Sequence, residues 1–143
     1  MKDRTVELLP QPLLDKIAAV ATVRTFPKRA IIVTEGDDTD SLDVILTGKA
    51  RVFVAADNGR EVQLNQLGAG EYFGEVTLDG GPRSASVTAL EDCRCAVVKH
   101  AELTTFLEQH PALALHMLRK LSRRVRDLTD LGSDLVTNVP QNG

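Results

Sequence analysis

The sequence has no tryptophan, one tyrosine and four phenylalanines, so aliphatic side chains must build its core, and the aromatic platforms on which single-stranded nucleic acids stack are scarce. Positive charge is also in short supply. With 17 Lys and Arg against 20 Asp and Glu, the formal charge is −3, which excludes a surface made as a whole for phosphate backbones. No apolar run approaches membrane-spanning length, and Met1–Pro10 lacks the apolar stretch of a signal peptide. A cytoplasmic protein with no membrane partner is the expectation. The two cysteines, Cys93 and Cys95, are one residue apart. On a strand this puts both on one face, near the upper distance limit for bridging. Zinc needs about four ligands, and His100, His110 and His116 stand in no metal-binding spacing with the pair. Neither a disulfide nor a metal site is expected, and the cysteines read as small core residues.

At 143 residues the chain has room for one domain with a proper core. Leu14, Ile17, Ala18 and Ala21 recur at helical spacing behind Pro12, which suits a first turn. From Thr22 the period changes. The segments 30–34, 42–47 and 50–55 read as strands, the middle one with Leu42, Val44 and Leu46 on one face and Asp43, Ile45 and Thr47 on the other. Asn58-Gly59 marks a hairpin, and Val62 and Leu64 share a face of the return strand. Ala85, Val87 and Ala89 alternate in a further strand, and 95–98 form another. Short strands at regular spacing with Gly-rich turns indicate a sandwich or barrel rather than an open parallel sheet.

The C-terminal third is helical, with a short segment at 101–109 and a longer helix from Pro111 to about Leu131. Ala114, Leu118, Leu121, Val125, Leu128, Gly132 and Leu135 recur in four- and three-residue steps close to an a/d seam. That face either packs on the chain's own β body or pairs with a second subunit. Arg119, Lys120, Arg123, Arg124 and Arg126 make a solvated basic face.

Between the strands lies the stretch that reads as a site, Phe73 to Val87. Gly74-Glu75 opens a short helical segment, and Arg83-Ser84-Ala85 succeeds a Gly80-Gly81-Pro82 turn. Exposed backbone N–H groups at a helix start bind phosphate oxygens, and the Arg83 fork can grip two of them. Glu75 belongs beside an anion only if the ligand also carries a hydroxyl for the carboxylate to accept. A sugar phosphate meets both demands. One arginine and no P-loop lysine suit a singly charged phosphate rather than a polyphosphate.

Phe73-Gly74-Glu75, Leu78, Pro82-Arg83-Ser84-Ala85 and Val87, with the turn glycines Gly36, Gly48, Gly59 and Gly70, resemble the phosphate-binding cassette and β pattern of the cyclic-nucleotide-binding domain family, of the catabolite activator and protein kinase A regulatory subunit type. The similarity covers about 13–131. The resemblance implies a mainly β fold: a β-roll (double-stranded β-helix, jelly-roll-like) with a short N-terminal helix, a short phosphate-binding helix and two C-terminal helices. One domain is then expected over 1–143, with flexible ends at 1–11 and 133–143. It further implies a sensor of cAMP, or of cGMP, with no catalysis and no resident cofactor. Glu75 would accept the ribose 2′-hydroxyl and Arg83 would pair with the cyclic phosphate. Gly74, Ser84 and Ala85 would add hydrogen bonds, Leu64 would wall the base, and Thr129 would cap it from the long helix. The output would be movement of that helix, read by a second copy or another protein. DNA is not an expected partner, since about a dozen residues come after Leu131 and supply no recognition helix. The alternative is an interaction or dimerisation module that keeps the fold without the ligand. Its motive is a departure from the family pattern: one residue fewer separates Leu78 from Pro82-Arg83. Losing one residue from a helix rotates all later residues by about 100°, so Gly80 and Gly81 would have to absorb the difference.

Overall fold

The computed structural model describes residues 8–138, and the side chains within that range other than 76 and 133–138. The expected flexible ends lie in part outside the described residues, at 1–7 and 139–143. The chain divides into two compact units between Gln109 and His110.

The first unit begins with α1 (Gln11–Val20), where Pro12 occupies the first turn and needs no hydrogen-bond partner. The Leu13 and Leu14 N–H groups close on the Pro10 carbonyl, and Leu13, Leu14 and Ile17 form the buried face. Before it, Leu9 is buried and donates its N–H to the Gly70 carbonyl at 2.9 Å.

Eight strands come next: β1 (Thr22–Phe26), β2 (Ile31–Val33), β3 (Ser41–Thr47), β4 (Lys49–Ala55), β5 (Glu61–Gly68), β6 (Tyr72–Phe73), β7 (Ser86–Ala89) and β8 (Cys93–Lys99). They form two four-stranded sheets in the orders β1-β8-β3-β6 and β2-β7-β4-β5, with every pair antiparallel. The core fills the space between them. Ile45, Phe73, Cys93 and Cys95 come from one sheet and Val33, Ala50, Leu67, Val87 and Ala89 from the other. The β-roll with flanking helices is therefore observed. Both cysteines are free and buried, and among the described residues no group of His, Cys, Asp and Glu could hold a metal ion.

One strand departs from its expected alternation. In β3 Leu42, Asp43, Val44 and Ile45 are all buried, although simple alternation puts Asp43 and Ile45 on a face opposite to Leu42 and Val44. The reason is position. β3 is an inner strand between β8 and β6, one face meets the opposite sheet, and α2 (His100–Gln109) packs on β3 and β8. A strand covered on both faces has no solvent side to accept a carboxylate.

The second unit is built on α3 (Pro111–Asn138), which runs past the predicted end near Leu131. Leu113 and Met117 are buried, while Leu118, Val125, Leu128 and Leu131 are exposed. Among the described residues no helix is long and apolar enough to cross a membrane.

Candidate functional site

The Gly74–Ala85 segment leaves β6, makes one short turn of helix and returns to β7. Gly74 takes a left-handed conformation with φ of 105°, which side chains rarely tolerate. Its surroundings allow no side chain either. A Cβ there would lie 2.1 Å from the Ser41 carbonyl oxygen and 2.9 Å from Arg83 Nη1. The backbone approaches the arginine this closely only because the residue is glycine.

The expected helix is a 3₁₀ helix, Glu75–Asp79. The Thr77 hydroxyl donates to the Gly74 carbonyl at 2.8 Å and stands 3.3 Å from His100 Nε2. Since the hydroxyl proton is committed to Gly74, the contact with His100 has the imidazole N–H as donor. This ties the segment to the first residue of α2. The turn after it uses both glycines. Gly80 is left-handed with φ of 87° and its N–H bonds the Thr77 carbonyl, while the Gly81 N–H bonds Asp79 Oδ1 at 3.0 Å. Of the two glycines, Gly80 takes the left-handed conformation that favours glycine.

Arg83 is held at both ends. Its N–H donates to the Asp37 carbonyl at 2.9 Å and its carbonyl accepts from the Gly36 N–H at 2.8 Å. Its buried guanidinium donates from Nε to Thr39 Oγ1, from Nη1 to the Ser41 carbonyl and from Nη2 to Ser41 Oγ, all at 3.0–3.1 Å. Ser41 in turn donates its hydroxyl proton to Asp43 Oδ1. Burial lowers the Arg83 pKa, opposed by Asp43, Asp40 and Asp37. Burial raises that of Asp43, opposed by the Ser41 hydrogen bond and then by Arg83, Arg24 and His100.

The other expected residues occupy varied surroundings. Glu75 is 4% exposed at the start of the 3₁₀ helix. Ser84 is exposed and Ala85 half-buried. Leu64 is 55% exposed and stands at a bulge, because Val52 pairs with Asn65 and Phe53 with Gln63, leaving Leu64 with no opposite residue in β4. Thr129 lies on α3, exposed, with its hydroxyl donated to the Val125 carbonyl at 2.9 Å. Sequence reasoning missed Thr39, Ser41 and Asp43, which hold the arginine, and Thr77 and His100, which hold the turn. A readable signal existed for one pair. Ser41 and Asp43 are two apart on a strand and so share a face.

Comparison with known proteins identifies the family. Residues 23–110 match the model of the cyclic nucleotide-binding domain. Over 117 residues the chain is 32% identical to a CRP-like cAMP-activated global transcriptional regulator of Mycobacterium tuberculosis, covering 80% of this chain and 52% of that protein. The structure of Thermus thermophilus catabolite activator protein superposes with a TM-score of 0.77 at 32% identity, covering 90% of this chain and 61% of that one. The N-terminal domain of a Streptomyces coelicolor transcriptional regulator gives 0.67 at 31%, covering 86% of each. The chain spans about half the length of the curated relatives it matches. A family match across most of the β body, and a cassette folded around a buried arginine, lead to one statement: the chain belongs to the cyclic nucleotide-binding domain family.

Proposed function

We propose that this domain binds a cyclic mononucleotide, cAMP in the first instance, and acts as a sensor with no catalysis of its own. The observation that carries the reading is the donor count at Arg83. A guanidinium has five N–H groups. Three are engaged by uncharged oxygens of Thr39 and Ser41, which leaves one N–H on Nη1 and one on Nη2, and the positive charge itself, for an anionic ligand. In this reading Arg83 pairs with the cyclic phosphate and Glu75 accepts the ribose 2′-hydroxyl. Gly74, Ser84 and Ala85 complete the cradle, Leu64 walls the base and Thr129 caps it. Binding draws the C-terminal helix over the base, a shift of population between open and capped states. The cAMP-activated relatives support the choice of ligand.

Isothermal titration with cAMP and cGMP tests the proposal. A charge-assisted pair contributes about 1.5–3 kcal/mol, so Arg83→Ala should weaken binding roughly 10- to 150-fold. Glu75→Ala should weaken it as well, whereas Lys120→Ala should leave it unchanged. No heat with either nucleotide at tens of micromolar protein would refute the reading.

A second role is favoured by one observation. Leu118, Val125, Leu128 and Leu131 on α3 are 55–68% exposed, a stripe of the kind that pairs helices of two subunits. Sedimentation of the intact chain and of Leu128→Asp tests it. A monomer at all concentrations would dismiss a homodimer through α3.

A further inference from the structure

Asp43 is the residue that the cyclic-nucleotide reading leaves unused. It is 3% exposed in the run Leu42, Val44, Ile45, each fully buried, and a carboxylate in such a place is costly unless its charge is paired and hydrogen-bonded. Its link to Arg83 runs through Ser41. A serine hydroxyl has one proton. Here that proton goes to Asp43 Oδ1, so the oxygen lone pairs are left to face Arg83 Nη2 at 3.0 Å. Nη1 is taken by the carbonyl of the same serine at 3.1 Å and Nε by Thr39 Oγ1 at 3.0 Å. Three acceptors on three different nitrogens set the plane of the guanidinium, and with it the direction of the two remaining N–H groups. If Asp43 did not hold the hydroxyl proton, the hydroxyl would be free to rotate and its lone pairs would no longer be fixed on Nη2.

We propose that Asp43 is a positioning residue for Arg83, acting through the Ser41 hydroxyl to aim the guanidinium at the anionic group of the ligand. The proposal deepens the nucleotide-binding reading and rests on it for the identity of that group. The competing role is a plain counter-charge, since Asp43, Asp40 and Asp37 all lie close enough to act on Arg83. The two roles separate on substitution. Asp43→Asn removes the charge and keeps an acceptor for the Ser41 proton. Asp43→Leu removes both. Ser41→Ala keeps the charge and removes the relay. A counter-charge makes the two Asp43 variants alike and spares Ser41→Ala, whereas a relay makes Asp43→Leu resemble Ser41→Ala and spares Asp43→Asn.

Two measurements on the whole chain decide this. The first needs no ligand: in protein labelled with ¹⁵N at arginine, the Nη–H signals of Arg83, assigned by their loss in Arg83→Ala, should be separately resolved in the wild type and in Asp43→Asn. They should merge by rotation in Ser41→Ala and Asp43→Leu. The backbone spectrum of each variant reports that it is folded. The second is titration with cAMP, where Ser41→Ala and Asp43→Leu should each weaken binding by about tenfold, and the double variant no further than Ser41→Ala alone, as expected of two residues in one network. Asp43→Asn should change affinity less than about threefold. Resolved Nη signals in Ser41→Ala, or equal weakening by Asp43→Asn and Asp43→Leu, would overturn the relay. If the wild type takes up no cAMP while the Nη signals keep the expected order, the relay stands and the nucleotide-binding reading falls.

Discussion

Gly74→Ala is the substitution whose cost can be worked out contribution by contribution. A residue with a side chain at φ of 105° is strained by about 1–2 kcal/mol. The added methyl would lie 2.1 Å from the Ser41 carbonyl oxygen, so β3 and the 3₁₀ helix must separate, and such overpacking costs about 1–3 kcal/mol. The same carbonyl accepts from Arg83 Nη1, and losing that charge-assisted bond adds about 1.5–3 kcal/mol. These contributions overlap, since one movement relieves the clash and breaks the bond, so about 3–5 kcal/mol is the working figure. A domain of this size has about 5–15 kcal/mol in all. Gly80→Ala is the control. Gly80 is also left-handed, at 87°, but a Cβ there meets nothing within 4 Å, so the backbone cost of about 1–2 kcal/mol stands alone. In urea denaturation Gly74→Ala should lose at least about 2 kcal/mol more than Gly80→Ala. Equal losses would refute the steric argument and the close approach of Gly74 to Ser41.

Burial pushes the Cys95 thiol up to about 12 and raises that of Cys93, so iodoacetamide at pH 8 should label neither in the folded protein; mass spectrometry showing free-thiol rates would contradict this. Burial also raises the Asp43 pKa above its ordinary 3.8, so the folded state holds that proton more tightly than the unfolded chain. Stability should then fall as pH rises from 3.8 through the folded value and level off above it. The wild-type unfolding free energy minus that of Asp43→Asn should decline over that window, and a difference that grows with pH would show the opposite shift. Gly132 is exposed within α3 with open space around it. Gly132→Ala should stabilise that helix by about 0.8–1 kcal/mol, read as a higher melting point by circular dichroism, and a lower one would show that the position needs glycine.

Much of the fold is legible in the sequence because its signals are local. Asn58-Gly59 marks the β4–β5 hairpin, Pro12 starts α1, and the alternation of 50–55 with 62–64 marks two paired strands. Alternation does not show the number of layers over each strand. Asp43 and Ile45 fall on the face opposite to Leu42 and Val44, yet β3 lies inside its sheet with cover on both sides. Leu64 alternates with its neighbours as a regular strand residue, yet it falls on a bulge, and bulges depend on the partner strand rather than on the residue. The helix after Gly74 carries the right residues but only five of them before Gly80, so it closes as a 3₁₀ turn.

The sequence by itself determined which chemistry is present: a Gly-Glu pair and an Arg-Ser-Ala separated by a glycine turn, whose residue types suit a hydroxyl and a single negative charge. The tertiary structure decided how that chemistry is held. Arg83 is steadied by Thr39 and Ser41, more than 40 residues earlier in the chain, with Asp43 behind them. They are brought beside it when the loop before β3 bonds the Arg83 backbone. The physical reason is that hydrogen-bond direction depends on atoms adjacent in space. No local pattern records that a serine proton is turned toward an aspartate so that its oxygen can face an arginine.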